Sequence, residues 1–162
     1  MSNYETIKIY SKYFLNKFRN KSFKSVGNIN PDNIIIGETY DWTGKDAFHF
    51  PRLELLIHNK NGTGYVSNTS REERLTLSVA CYIFRETEDF LEDDYFKLMD
   101  FVGEVEDLVN SANADRRLGN PPNNDFLMMD PYNIMDIEGE LDKYIGSGIV
   151  QFSIVITKNN IT

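Results

Sequence analysis

The sequence predicts an α+β fold: a small antiparallel β-sheet with a long hairpin, packed by an amphipathic helix, plus an N-terminal helix. Three observations carry this. From Leu75 to Phe84, the residues Leu75, Leu77, Val79, Cys81 and Ile83 alternate with Thr76, Ser78, Ala80, Tyr82 and Phe84, which is the period of two of a strand with one apolar face. Ile149 to Thr157 repeats the pattern, with Val150, Phe152, Ile154 and Ile156 on one side. Between them, Tyr95 to Ala112 carries Phe96, Met99, Val102 and Val109 on one line, with Leu98, Phe101, Val105 and Leu108 beside it. That stripe has helical spacing and is wide enough to cover a sheet face.

The other elements follow in chain order. Residues 4–20 read as a helix whose Ile7, Tyr10, Phe14 and Phe18 recur at three- and four-residue steps. So aromatic a face must be buried, against either the sheet or a partner subunit. Gly27, Asn28, Asn30 and Pro31 mark a loop, and Ile34, Ile35 and Ile36 form a short β-branched strand ended by Gly37. Tyr40 to Phe50 is irregular and holds Trp42 and His49. Pro51 opens a strand over residues 52–58. Asn59 to Gly64 has turn chemistry, and residues 65–74 are expected to extend it into a long exposed loop or flexible hairpin before the strand at 75–85. Asp93 and Asp94 suit a helix N-terminus. Gly119 to Asn124 reads as loop, and 132–137 and 141–145 as short strand pieces broken by Gly139. No internal repeat is visible, so residues 1–162 are expected to be one domain, with a sheet-and-helix core over about 33–158.

Composition narrows the function. With 162 residues, 41% hydrophobic and 13% aromatic, the chain can bury a sizeable core and is not disordered. A formal net charge of −8 is ill suited to gripping nucleic acid, which depends on Lys and Arg neutralising phosphates. The single cysteine, Cys81, allows no intrachain disulfide and sits on the apolar stripe as a small core residue. No signal-peptide pattern opens the chain, and no apolar run approaches the roughly 20 residues that span a bilayer, so a soluble protein without membrane association is expected. Charge is uneven. Lys8, Lys12, Lys17, Arg19, Lys21 and Lys24 cluster near the N-terminus, whereas ten acidic residues between Glu86 and Asp107 face only Lys97. These are either solvated helix faces or complementary surfaces on neighbouring copies.

No catalytic constellation accompanies the fold. His49 and His58 with Asp46 or Glu54 lack the number and spacing of a metal site. The acidic stretch 86–94 lacks the ligand and glycine pattern of a calcium loop. Gly62 and Gly64 lack the Lys-Ser/Thr and helix of a phosphate loop. Cys81 lies in-strand on an apolar face, against the exposure a nucleophile needs. No catalytic residue, metal ligand or cofactor is assigned, and an enzyme is not expected.

The order of elements is an N-terminal amphipathic helix, a hairpin opened by Pro51-Arg52-Leu53-Glu54-Leu55, a long second strand, the helix from Phe96 to Val109, a loop, and a closing strand from Gly148. It resembles that of the tail-terminator and tail-completion (neck ring) proteins of tailed bacteriophages. The likeness covers most of the chain and is one of pattern. The segment 121–141 is longer than that pattern has, which keeps other phage neck or collar proteins open. The resemblance implies a virion protein that is soluble in the host cytoplasm before assembly. It would form a homo-oligomeric ring, typically a hexamer, capping the tail tube and joining it to the head at the head–tail junction. Its partners would be itself, tail-tube and head-connector proteins, with DNA passing through unbound. On this reading Asn61, Tyr65, Arg71 and Arg74 contact the tube or connector, and Tyr10, Phe14 and Lys17 form the ring interface. Two other classes stay open: a protein-binding module using an exposed sheet face, and a small enzyme with a pocket near Trp42, His49 and His58.

Overall fold

Strand β5, Ser70–Phe84, is the centre of the protein, and every layer is built on its two faces. The computed structural model describes residues 3–67, 70–85, 92–112, 126–129, 134–142 and 144–159. Helix α1 spans Asn3–Arg19. A two-residue-per-strand hairpin follows, β1 Ser22–Phe23 and β2 Gly27–Asn28, in which Gly27 takes a φ of 75° that a side chain would strain. Next come β3 Ile34–Ile36, β4 Arg52–Ser67, β5, helix α2 Glu92–Ser111, β6 Phe126–Met129, β7 Ile134–Asp142 and β8 Ile145–Asn159.

The main sheet runs β3-β4-β5-β8-β6, with β7 also paired to β8. The fold is α+β, as the sequence predicts. One pairing differs from the antiparallel expectation: β3 runs parallel to β4, Ile34 opposite Leu53 and Ile36 opposite Leu55. Both helices lie on one face. There Leu75, Leu77, Val79, Cys81 and Ile83 of β5 meet Val150, Phe152, Ile154 and Ile156 of β8 under Tyr10, Phe14 and Phe18 of α1 and Leu98, Phe101, Val102, Val105 and Val109 of α2. Each such side chain contributes roughly 1.5–3 kcal/mol by leaving water. Phe14 packs on Phe152 at 4.9 Å between ring centroids, and Phe23 meets Phe101 edge-on at 5.4 Å.

The opposite face has its own cover. Phe50, Ala80, Tyr82 and Ile145 are buried there, with Trp42, Leu56, Phe84 and Ile149 packed around them. The covering segment is the irregular stretch before β4. It is pinned by a short 3₁₀ turn, Ala47–His49, capped reciprocally: Asp46 accepts from the Phe48 amide, and His49 Nδ1 accepts from the Asp46 amide.

Three expectations need correction. Tyr10 and Phe14, expected between copies, are fully buried in the chain's own core, because the sheet offers their ring-lined face a complementary apolar surface. The turn expected at 59–64 and the loop offered for 65–74 are instead paired strand, the hairpin alternative, with β4 running to Ser67 and β5 starting at Ser70. Their turn-forming residues are absorbed as irregularities of register between Ile57 and Asn59, Gly62 and Gly64, and Tyr65 and Ser67, since Asn and Gly fit β-bulges as well as turns. Residues 134–142 form one strand through Gly139, again by a bulge, and β6 was not anticipated. The acidic turn 86–91 and the 119–124 loop lie outside the described residues.

Candidate interaction surface

Helix α2 buries Leu98, Phe101, Val102, Val105 and Val109. That fixes which side chains it turns outward. Asp93, Phe96, Asp100, Gly103 and Asp107 follow one another at steps of three and four, and so share a line along the helix. Beside this line the β1–β2 hairpin forms the second wall of a groove. A cavity of about 440 Å³ is lined by Lys24, Ser25, Met99, Asp100, Gly103, Glu104 and Asp107. A further 290 Å³ adjoins it through the shared Lys24, Glu104 and Asp107, ending at Ser111.

Glu104 ties the two walls together. Its carboxylate accepts from the Lys24 amide at 2.7 Å and the Ser25 amide at 2.8 Å. Burial opposes ionisation there, but hydrogen bonding from Ser25 and Lys24 and the nearby Lys21 charge outweigh it, and the carboxyl is held below its ordinary value. Lys17 Nζ, 3.2 Å from Ser111 Oγ and 5.4 Å over the Tyr13 ring, closes the far end. The basic end of α1 and the acidic C-terminal half of α2 therefore meet within one chain.

On the outer sheet face, Arg52 and Glu54 form a buried pair, Nε to Oε1 2.9 Å, and the Thr39 amide (3.1 Å) and hydroxyl both donate to Glu54. Stacked rings continue from there: Trp42 on Phe50 at 5.8 Å, Phe50 on Phe84 at 5.5 Å, Phe84 on Tyr144 at 5.7 Å. Two further aromatics of the same segment, Tyr40 and Phe48, are 85% and 86% exposed. Hydrogen bonding to Glu38, and its charge, raise the Tyr40 phenol above its ordinary value.

Neither cavity of the groove is lined by Trp42, His49 or His58. Trp42 is packed on Tyr82 at 4.8 Å, and His49 faces Asp46 at 3.2 Å. His58 Nε2 lies 2.6 Å from Ser78 Oγ. That is a Ser–His hydrogen bond, but Ser78 is mid-strand and 1% exposed, so the contact satisfies a buried hydroxyl. A third cavity, about 180 Å³, is lined by Val26, Ala47, Phe50, Pro51, Ile83, Phe84 and Lys97. Among the described residues no three or more of His, Cys, Asp and Glu are grouped as a metal site, and no helix is long and apolar enough to cross a membrane.

The residues expected to contact the tube or connector lie on the hairpin arm: Asn61 is opposite Arg74, and Tyr65 is opposite Arg71. Arg74 is half-buried on β5; the side chains of Asn61, Tyr65 and Arg71 lie outside the described residues. Lys17 stands at the groove end, apart from the buried Tyr10 and Phe14. Sequence reasoning missed the groove. The signal was present in the 93-96-100-103-107 spacing, but the broader apolar stripe of the same helix masked it. Compared with known proteins, the sequence matches no protein-family model, and no curated protein matches it.

Proposed function

We propose that this protein is a structural ring component of the phage tail-terminator type, working through surfaces and making or breaking no bond. One observation supports this reading above others. Strands β4, β5 and β8 hold 15 or 16 residues each and run about 50 Å, whereas the 20 residues of α2 run about 30 Å. The three strands thus make an arm longer than the helix packed on them. Beyond Leu55 the outer edge of β4 pairs with no strand among the described residues. Such an arm offers backbone and side chains to neighbours, as a ring subunit joining tube and head requires.

In this reading, copies close a ring at the head–tail junction, sixfold by resemblance, in the virion. The arm bearing Asn61, Tyr65, Arg71 and Arg74 reaches the tube or connector. The net charge of −8 leaves DNA in the lumen without a counterion-release gain, so it passes unbound. Electron microscopy of the purified protein tests the reading: rings with an open centre support it, and single particles of monomer size at high concentration refute it. A second reading, a monomeric module binding one protein partner, draws on the exposed Tyr40 and Phe48 beside the stacked rings. A stable one-to-one complex lost on Tyr40→Ala/Phe48→Ala would favour it.

A further inference from the structure

We propose that the groove along α2 is the socket for the basic face of α1 on a second copy of this chain. The inference rests on the ring reading above and names the two surfaces that make its contact.

Along α2 the socket is apolar and acidic together, with Lys24 on the opposite wall. Phe96 is 51% exposed and Met99 46%, and Asp93, Asp100 and Asp107 are exposed beside them. At its middle stands Gly103. Glycine inside a helix is disfavoured relative to alanine, and nothing among the described residues requires it: an added Cβ would meet none of their atoms within 4 Å. What a bare Cα provides at a surface is close approach by another backbone. The 3-4-3-4 spacing of Asp93, Phe96, Asp100, Gly103 and Asp107 is a seam into which a second helix packs.

The complement is on the same molecule. With Tyr10, Phe14 and Phe18 turned into the core, α1 presents Lys8, Lys12, Asn16 and Arg19 to solvent. Lysine stems lie along apolar rings while their ammonium groups reach carboxylates, so Lys8 and Lys12 match a floor of Phe96 and Met99 rimmed by Asp93, Asp100 and Asp107. Socket and plug lie on different helices of one chain, so the contact is head-to-tail. Head-to-tail contacts generate rings when the rotation closes. The unlike charges also set which surfaces meet.

Sedimentation velocity over a concentration series, with thermal unfolding of each variant, tests this. Lys8→Glu/Lys12→Glu breaks the plug and keeps the socket; Asp100→Lys/Asp107→Lys does the reverse. Each alone should associate about tenfold or more weakly than wild type, since like charges then oppose. Mixed in equal amounts, they should assemble again, because the wild-type plug meets the wild-type socket and the reversed plug meets the reversed socket. The chain carrying all four reversals should assemble again. Gly103→Gln should melt no lower than wild type yet associate about tenfold or more weakly, which separates a blocked socket from a misfolded chain. Wild-type assembly in all these variants would overturn the inference and leave the ring reading standing. A wild-type protein that is monomeric throughout would overturn both.

Discussion

Arg52 Nε lies 2.9 Å from Glu54 Oε1 on the sheet face away from the helices, with side chains 8% and 0% exposed. Two residues apart on one strand, they point to the same side, and Thr39 donates to both oxygens of the carboxylate. Removing one member strands a buried charge, whereas removing both need not. Arg52→Ala should cost about 3–5 kcal/mol in chemical denaturation, and Arg52→Met/Glu54→Leu should be near neutral or stabilising. Equal losses in the two proteins would contradict the pairing.

Glu104 gives the helical layer an acid-sensitive tie. Its carboxyl is lowered from an ordinary value of 4.5. A depressed folded-state value adds stability that is complete above the unfolded value and is lost as pH falls through the folded one. Glu104→Ala should therefore cost about 1–3 kcal/mol near neutral pH, with the gap from wild type closing as pH drops below the ordinary carboxyl range. A gap that stays constant with pH would show that the carboxylate is not the tie.

Cys81 is fully buried on the helix side of β5, and burial pushes its thiol far above the usual range. Only the thiolate reacts. The native protein should resist an aromatic disulfide reagent at neutral pH and react fully once unfolded in denaturant. Rapid labelling of folded protein would place Cys81 at the surface.

Phe14 separates core from contact surface. Packed on Phe152 at 4.9 Å and fully buried, it should cost the isolated chain about 3–5 kcal/mol when changed to alanine. Unchanged stability of the monomer with weakened association would return it to an interface.

Legibility from sequence followed the strength of periodicity. The stripe from Leu75 to Ile83 and its partner from Val150 to Ile156 were readable because a buried face imposes a period of two. The second stripe of the same strand carried more than was read from it: Ala80, Tyr82 and Phe84 are apolar too, and they are the ones covered by Trp42 and Phe50. The arm was readable as a long hairpin, but not as strand paired out to its tip. Asn59, Asn61, Gly62 and Gly64 have the chemistry of a turn, and only pairing with β5 across three bulges makes them strand. For Tyr10 and Phe14 the pattern required burial without naming the surface that buries them. The Arg52–Glu54 pair lay beyond sequence because Thr39 joins it from 13 residues away.

Native mass spectrometry of the wild-type protein over rising concentration tests the surface-assembly account most directly. The account predicts a single closed species of fixed stoichiometry, six copies by resemblance, growing at the expense of monomer. Monomer alone at every concentration, or an open-ended ladder of masses, would contradict it.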